Sequence, residues 1–254
     1  MQFFLKFPGI VVAVGEERLV AVPQILHERP ETGVIILDDA FQHRAVKAGL
    51  NILLTDFSHL FTRDWFLPTG NLRDEPKSYK RADIIIVTKC RPDLTPSERT
   101  KIVDEIGPLP GQQVFFTEIA YGNLYHILTR ETIAIDESIE VLLVSGIANP
   151  APLKKYLGEN AATYYELLFS DHHIFSTDDW KEIVRRFEEI SARHKIIVTT
   201  EKDAVRLIKY KEHLRELPFY VIPIQSRFLF EDGPRFNNII TTFIECFDTK
   251  NNKN

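Results

Sequence analysis

The sequence predicts an α/β protein made of two α/β/α domains with mostly parallel sheets, joined by a short two-stranded linker. Short apolar runs alternate with helix-like segments of about 10 to 15 residues, which is typical of parallel strands covered by helices on both faces. The alternation breaks once, after residue 118, where two short apolar runs follow each other closely. We therefore predict a first domain at 1–118, a linker at 119–138, a second domain at 139–248 and a disordered polar tail at 249–254.

In the first domain, apolar runs between helix breakers mark the strands. The run Val34–Leu37 follows Pro30 and Gly33 and contains only Val, Ile and Leu, so we predict a strand buried on both faces. A helix is predicted to open near Thr95, which suits a cap, with Pro96 at the first helical position. The other elements predicted here are strands at 10–14, 51–56, 82–88 and 113–117 and a helix at 16–28.

Apolar runs also predict the strands of the linker and of the second domain. The linker is predicted to be a short hairpin with strands at 124–128 and 132–135. The second domain begins with the apolar run Val141–Val144, which ends at Ser145 and Gly146. Strands at 162–168, 195–199 and 219–222 and helices starting near 150, 177, 201 and 236 complete the prediction. Ligands of such folds bind beyond the carboxyl ends of the parallel strands, so polar residues at those ends are the candidates for function.

Composition and charge exclude several classes of function. Lys and Arg number 31 against 36 Asp and Glu, a net charge of −5, so nothing indicates nucleic acid as a partner. Cys90 and Cys246 lie far apart and outside any Cys/His metal spacing, so neither a disulfide framework nor a zinc site is indicated. No apolar run reaches the roughly 18 residues of a membrane span, and no signal peptide opens the chain. The sequence as it stands is expected to be cytosolic.

An acidic pair, Asp38 and Asp39, directly follows the predicted strand Val34–Leu37. Carboxylates at such a strand end hold Mg²⁺, directly or through its water, in phosphoryl-transfer sites. The alternative is a turn whose acids cap the next segment. Gln42 and His43 follow at the same predicted sheet edge, although a lone loop histidine is by default a solvated side chain.

Two arginines are candidates for contact with phosphate. Arg73 follows Gly70 in a loop whose backbone amides and guanidinium donors suit a phosphate group. A turn with a surface arginine is the alternative. Arg18, near the end of the first predicted strand, is a second candidate.

The run Asp171-His172-His173 lies between a predicted strand and a predicted helix. Adjacent side chains point in different directions, so no more than one of the two imidazoles is expected to face a given site. A histidine beside an acid can relay or position a proton, and a core or surface role is the alternative. The hydroxyls of 199–200 precede a helix that we expect them to cap, although helix N-termini also bind anions.

The phosphate-binding loop G-x-x-x-x-G-K-[ST] does not occur in this sequence, in which no Gly is followed by Lys. A nucleotide-kinase interpretation of Asp38 and Asp39 therefore lacks the loop that cradles the phosphates.

Five motifs in series resemble those of the tetraacyldisaccharide 4′-kinase family of lipid A synthesis. They are LDDAFQH at 37–43, LPTGNLRD at 67–74, SGIANP at 145–150, FSDHH at 169–173 and TTEKDA at 199–204. Their order and spacing agree across nearly the whole chain. The resemblance implies a P-loop kinase-like core, incomplete here, joined through the two-stranded linker to a second α/β domain.

The resemblance also implies transfer of the ATP γ-phosphate to the 4′-hydroxyl of a tetraacylated disaccharide 1-phosphate, giving lipid IVA, with ATP and Mg²⁺ as cofactors. The residues that it assigns are Asp38 and Asp39 for the metal, His172, Asp39 and Arg73 for catalysis, and Arg18, Gln42, His43 and Asn149 for substrate binding. His172 is expected to pair with a catalytic carboxylate. The implied partner is a lipid A disaccharide precursor, and the implied location of the full-length family is peripheral, at the cytoplasmic face of the inner membrane.

The sequence departs from the family pattern at its start. Family members carry an N-terminal hydrophobic helix, a G-G-T-G-K-T-P loop and a G-D-E-P segment with the expected base, and none of these is in the sequence. We expect a chain truncated at its N-terminus, without the membrane anchor, monomeric, and inactive by itself, because positioning and charge stabilisation supply nearly all the catalysis of phosphoryl transfer. Two alternatives stay open: a DHH-type metal-dependent phosphoesterase using Asp171-His172-His173 with Asp38, Asp39 and Asp56, and a non-catalytic remnant of the kinase.

Overall fold

The structure of the protein is a computed structural model that describes residues 3, 6–70 and 72–251, with side chains as far as Phe247. Residues 12–120 and 226–254 form one compact unit, called the N-terminal unit below. Residues 1–11 and 121–225 form the other, called the C-terminal unit. Each unit contains a sheet with helices packed on it, which confirms the predicted α/β class.

Strands and helices alternate along most of the chain. In order they are α1 (Arg18–Glu28), β1 (Ile52–Asp56), a 3₁₀ helix (Pro76–Arg81), β2 (Ile84–Thr88), α2 (Pro96–Ile106), β3 (Gln113–Tyr121), β4 (Leu124–His126), β5 (Thr132–Ile133), β6 (Glu140–Ser145), α3 (Ala151–Asn160), β7 (Thr163–Leu168), α4 (Thr177–Glu188), β8 (Lys195–Thr200), α5 (Glu201–Leu207), a 3₁₀ turn (Ile208–Tyr210), α6 (Lys211–Leu214), β9 (Phe219–Ile222), β10 (Ile224–Phe228) and α7 (Gly233–Asn251). Among the helices described, none combines the length and the hydropathy needed to cross a membrane.

The N-terminal unit is built on the sheet β1-β2-β3-β10, in which β1, β2 and β3 run parallel. Ile85 and Val87 of β2 belong to a core shared with α2, whereas Ile84 and Ile86 belong to a core on which α7 packs. This strand is therefore buried on both faces, which explains its unbroken apolar sequence. Thr95 caps α2 in a reciprocal capping box with Glu98, as the sequence predicts.

The C-terminal unit is built on the sheet β5-β4-β9-β8-β6-β7. Strands β7, β6, β8 and β9 are parallel, and the hairpin β4-β5 pairs antiparallel to β9 at one edge. Leu142 and Val144 face a core shared with α4, and Val141 and Leu143 face a core shared with α3. Both faces of this sheet are covered, so polar groups reach solvent at the strand ends.

The extents of the two units differ from the predicted domain boundaries in three places. The hairpin β4-β5, predicted as a linker, is the edge of the C-terminal unit's sheet. Helix α7, predicted in the second domain, packs on the sheet of the N-terminal unit and continues through Asn251, where a disordered tail from 249 was expected. Residues 252–254 lie outside the described part of the chain. Residues 1–11 group with the C-terminal unit, in which Lys6 Nζ lies 3.0 Å from a carboxylate oxygen of Glu201.

Two strands predicted from apolar runs, at 10–14 and 34–37, are not formed. Neither run pairs with any strand in the described part of the chain, and Val14 and Ile36 are 94% and 89% exposed. An apolar run becomes a strand only where a neighbouring strand satisfies its backbone N–H and C=O groups, and among the described residues no such neighbour lies beside these runs. The prediction that Asp38 and Asp39 close a buried strand is therefore wrong.

The two cysteines differ in burial, and we expect them to differ in reactivity. Cys90 is buried, and this burial raises the pKa of its thiol to about 11, whereas Cys246 is exposed. Because the thiolate is the reactive form, a disulfide reagent at about pH 8 should label Cys246 quickly and Cys90 only after unfolding. Cys246→Ser should remove the rapid phase, and a rapid phase that persists in this variant would contradict the burial of Cys90.

Candidate functional site

The predicted site residues form two groups, one in each unit. Arg18, Asp38, Asp39, Gln42, His43 and Arg73 belong to the N-terminal unit, and Asn149 and His172 belong to the C-terminal unit. Each unit thus carries part of the set that the sequence assigns to a single site.

Asp39 and Arg73 are brought together within the N-terminal unit although 34 positions separate them. Arg73 Nη1 lies 3.2 Å from Asp39 Oδ2. The side chains are 65% and 80% exposed, so the pair adds little to stability and stays accessible to a ligand. Since a guanidinium has five N–H donors, Arg73 retains donors for a second anion while it contacts Asp39.

Asp38 and Asp39 occupy an exposed turn. The φ angle of Asp39 is +47°, a left-handed conformation that Asp tolerates better than most residues. Mg²⁺ in proteins takes one or two carboxylates and keeps several waters, so two exposed carboxylates in one turn fit its donor requirements. Asp38 and Asp39 could therefore hold Mg²⁺, and this role stays a prediction. The described residues contain no group of three or more metal-ligating side chains that would form a protein-only site.

Asp74, which was not predicted as a site residue, links the acidic turn to the loop of Arg73 through ion pairs. Its Oδ2 lies 2.9 Å from Arg81 Nη2 and 3.3 Å from Arg44 Nη2. Arg81 also donates a hydrogen bond to the Phe41 carbonyl oxygen, at 2.9 Å, and its guanidinium lies over the Phe41 ring. The acid next to Arg73 in the LRD triplet was the only local signal for this role.

Gln42 and His43 are exposed and lie between the two residues that this network holds, Phe41 and Arg44. Backbone hydrogen bonds of 2.9 Å, from His43 N to Ala40 O and from Arg44 N to Gln42 O, close the turn. The turn therefore presents both side chains to solvent from a defined backbone.

The loop before Arg73 is closed tightly around Gly70. Leu72 N donates to the Trp65 carbonyl and Leu67 N donates to the Leu72 carbonyl, both at 3.1 Å. A Cβ atom added to Gly70 would lie only 2.2 Å from the Trp65 carbonyl oxygen, so no other residue fits without a shift of the backbone.

Gly70→Ala is expected to lower the free energy of unfolding by about 1–3 kcal/mol and to displace the loop that carries Arg73, because the added methyl group meets backbone atoms. Gly33→Ala is the matched control, since no atom lies within 4 Å of its added Cβ. Urea denaturation of both variants, followed by tryptophan fluorescence, measures the difference. Equal midpoints for the two variants would contradict the tight closure.

Arg18 opens α1, and its guanidinium turns back on the preceding loop. It donates to the carbonyl of Gly15 and lies 3.4 Å from the carbonyl oxygen of Glu16. None of its described contacts involves Asp39 or Arg73. The structure thus gives Arg18 a local role at the start of the helix, and its role in substrate binding stays a prediction.

In the C-terminal unit, the imidazole of His172 lies beside two cations. Arg206 Nη2 lies 3.1 Å from its Nδ1 and Lys202 Nζ lies 3.3 Å from its Nε2. A neutral imidazole has one acceptor nitrogen, so only one of these approaches is a hydrogen bond. The carboxylate of Asp171 lies 3.6 Å from Nε2, beyond hydrogen-bond distance. Pairing of His172 with a catalytic carboxylate stays a prediction.

Lys202 and Asp171 form an ion pair at 2.9 Å beside His172. The hydrogen bond from Lys202 holds the pKa of the Asp171 carboxyl below its usual value. Arg206 adds a second positive charge, which the carboxylate of Asp203 balances at 3.3 Å. Lys202 and Arg206 have more N–H donors than these two ion pairs use, so the group can also contact an anionic ligand.

A buried carboxylate, Asp203, sets the position of this group. It is fully buried and accepts hydrogen bonds from Gly146 N at 3.0 Å and from Thr200 Oγ1 at 2.8 Å. Its other oxygen lies 3.3 Å from Arg206 Nη1. The Thr200 side chain accepts from Asp203 N and caps α5, which confirms the predicted cap. The hydroxyls before a predicted helix were the sequence signal for the cap, but nothing in the sequence indicated that Asp203 is buried.

His173 has a structural role. Its Nε2 lies 2.8 Å from Asp179 Oδ2, in the capping box of α4, and its ring stacks on Phe169. Of the two adjacent histidines, only His172 is exposed, in agreement with the expectation that they point in different directions.

Asn149 is exposed, and its Oδ1 accepts a hydrogen bond of 3.1 Å from Ala151 N at the start of α3. This contact orders the turn that follows β6. Substrate binding by Asn149 stays a prediction.

The chain is similar to known proteins along almost its whole length. The profile of the family described as tetraacyldisaccharide-1-P 4′-kinase matches residues 3–245. The tetraacyldisaccharide 4′-kinase of Bacteroides thetaiotaomicron is 40% identical over 257 aligned positions, covering 96% of this chain and 68% of the relative. The enzyme of the same name from Phocaeicola vulgatus is 39% identical, covering 100% of this chain and 70% of the relative.

A solved structure is similar in fold. The crystal structure of LpxK from Aquifex aeolicus in complex with ATP has a TM-score of 0.61 and 24% sequence identity to this chain. The match covers 91% of this chain, which spans 64% of the length of that protein.

Proposed function

Because this chain belongs to the tetraacyldisaccharide-1-P 4′-kinase family, we propose that it takes part in the phosphorylation of tetraacyldisaccharide 1-phosphate. In this reaction the ATP γ-phosphate is transferred to the 4′-hydroxyl of the disaccharide. This is the step of lipid A biosynthesis that gives lipid IVA. The observation that carries the proposal is the 3.2 Å contact between Asp39 and Arg73, which unites two motifs at one exposed place. The ATP in the similar LpxK structure supports ATP as the phosphoryl donor.

In this function Arg73 binds the oxygens of the phosphoryl group through the donors that it does not direct at Asp39. A planar guanidinium suits this task because its fork of donors matches two phosphate oxygens at once. Asp39 holds the guanidinium in place before the substrate arrives. Asp38 and Asp39 would also hold Mg²⁺, which when bound neutralises negative charge on the nucleotide phosphates.

The C-terminal unit carries a second group of candidate side chains. In it Lys202 and Arg206 donate hydrogen bonds to a phosphorylated ligand, and Asp171 keeps the Lys202 ammonium oriented. The acceptor nitrogen of His172 positions or relays a proton during the reaction. Asp203 acts through Arg206 and is a positioning residue. Arg18, Gln42, His43 and Asn149 complete the proposed set as substrate contacts.

The substrate named by the family carries four acyl chains, so the proposal includes a lipid A precursor as partner and a peripheral location at the cytoplasmic face of the inner membrane. The hydrolase alternative has no specific observation in its favour. Asp56 pairs with Lys89 at 2.7 Å, and His173 is engaged in the capping box of α4. The non-catalytic alternative is decided by the assay below.

The test is a chimaera in which residues 3–245 replace the matching region of the Bacteroides thetaiotaomicron kinase. Transfer of labelled phosphate from ATP to tetraacyldisaccharide 1-phosphate is measured for the chimaera, for the parent kinase and for this chain alone. We expect the chimaera to form lipid IVA in the presence of Mg²⁺. A folded chimaera that forms no product while the parent kinase is active would overturn the proposal and favour the non-catalytic alternative.

A further inference from the structure

We propose that a cavity between α5 and the β4-β5 hairpin of the C-terminal unit binds a small organic monoanion with a compact apolar body. The cavity has a volume of about 340 Å³, which lies within the range of pockets that hold small-molecule ligands. It is lined by side chains of α5, of the 3₁₀ turn that follows, of β9 and of the hairpin, and by Lys6. None of these residues takes part in the proposed reaction, so the inference goes beyond the proposed function.

Much of the cavity wall is apolar. Ile127, Ala204 and Val221 line it, and all three are buried members of one core of the C-terminal unit. Val205 and Ile208 add two further apolar side chains. Contact with this wall would remove the apolar body of a ligand from water, which contributes favourable free energy to binding.

The charged groups of the cavity leave one positive charge. Glu201 is buried, and Lys6 Nζ lies 3.0 Å from both of its carboxylate oxygens, so these two charges offset each other. Arg130 also lines the cavity, and its exposed guanidinium forms no ion pair with any carboxylate among the described residues. A ligand with a single negative charge therefore complements the cavity.

Tyr125 holds this guanidinium at the cavity and offers a second donor. The centre of the Arg130 guanidinium lies 4.7 Å from the centroid of the Tyr125 ring, which is a cation–π distance. Burial, and then the negative charge of Glu201, raise the pKa of the Tyr125 hydroxyl, so this group stays protonated at neutral pH. A protonated hydroxyl and a guanidinium both donate hydrogen bonds, so the two side chains can contact the same anionic group.

The backbone of Arg130 indicates that the turn itself does not require an arginine. Arg130 N donates to the His126 carbonyl, at 3.0 Å, and closes the hairpin turn. The φ angle of Arg130 is +65°, in the left-handed region that favours glycine. A glycine would adopt this conformation with less strain. The arginine adds a charged side chain at the cavity, in agreement with a role in binding.

The experiment uses the full chain and anilinonaphthalene sulfonate, a monoanion with an apolar aromatic body whose emission rises in apolar surroundings. We expect the emission to increase with protein concentration and to saturate at one bound molecule per chain. Indoleacetate should displace this probe. Indoleacetamide, which has the same apolar body without the charge, should displace it about tenfold less well, because hydrogen bonds between charged groups are stronger than those to a neutral group.

Substitution of Arg130 tests the charge contact. Arg130→Gln should weaken binding of the probe about tenfold, because the hydrogen bonds of a charged donor are lost. Arg193→Gln is the matched control, since it removes the same charge from an exposed arginine of the same unit that does not line the cavity. Arg130→Gly should weaken binding as much as Arg130→Gln, and its backbone suits the turn. Circular dichroism melts establish that the variants are folded.

The proposal fails if the probe does not bind the folded chain, or if folded Arg130 variants bind it as well as the unsubstituted chain. Equal displacement by indoleacetate and indoleacetamide would overturn the preference for an anion. Displacement by ATP or by tetraacyldisaccharide 1-phosphate as strong as that by indoleacetate would assign the cavity to a substrate of the proposed reaction and overturn a separate ligand. These measurements require no phosphoryl transfer, so failure of the kinase assay is distinguishable from failure of this proposal.

Discussion

Asp203→Asn is expected to lower the free energy of unfolding of the C-terminal unit by about 3 kcal/mol, the largest effect on stability expected of one isosteric change. The fully buried carboxylate accepts from Gly146 N and Thr200 Oγ1 and contacts Arg206. The amide of Asn has only one acceptor oxygen and turns an N–H₂ donor towards groups that are themselves donors. Arg206 also loses its charged partner.

The unfolding of this unit can be followed separately. In a Trp65→Phe background, Trp180, which lies in a core of the C-terminal unit, is the only tryptophan, so urea denaturation of this unit is read from its emission. Asp178→Asn is the control, because Asp178 is 89% exposed on α4 and its pair with Lys181 adds little. Coincident midpoints for the two variants would show that Asp203 is not a structural centre of the unit.

Arg73→Ala in the chimaera is expected to lower kcat/KM for lipid phosphorylation by about 10³-fold, the lower end of the range for an arginine that stabilises a transferring phosphoryl group. Arg73→Lys should recover only part of this loss, because an ammonium cannot contact two phosphate oxygens with a fixed fork. Arg215→Ala is the control, since Arg215 is 69% exposed in the C-terminal unit, close to the exposure of Arg73. A value for Arg73→Ala within twofold of the unsubstituted chimaera would contradict its role.

The contact between Asp39 and Arg73 leads to a further prediction, which the same kinase assay can test. If Asp39 orients Arg73, the effects of Asp39→Asn and Arg73→Lys will not add, because each removes the same contact. Steady-state rates of the two single variants and the double variant give this coupling. Simple additivity would indicate that Asp39 acts through Mg²⁺ alone.

Local sequence patterns were sufficient to predict those helices and strands that are marked by capping residues or by an apolar run. Thr95 and Pro96 predicted the start of α2, and the hydroxyls of 199–200 predicted the cap of α5. The apolar run of β2 predicted a strand, and the structure buries this strand on both faces. The same kind of pattern was misleading at 34–37, because burial depends on a neighbouring strand that a local run does not report.

The roles of single site residues were predictable only in part. The motifs indicated that Asp39 and Arg73 act together, and the structure places them 3.2 Å apart. Asp74 and Asp203 were not recognised as organising carboxylates, because their partners are distant in sequence or buried by other elements. The sequence does not distinguish an Asp that holds a loop through ion pairs from an Asp on the solvated surface.

The sequence by itself determined the α/β class, most helices and strands, and the family, because these depend on periodicity, caps and the spacing of motifs. Only the tertiary structure decided which unit α7 and the β4-β5 hairpin join, that Asp38 and Asp39 lie in an exposed turn, and that His172 lies between two cations. These features depend on which surfaces meet in space. Pairing of strand edges and desolvation of charged groups are non-local, so no window of sequence contains them.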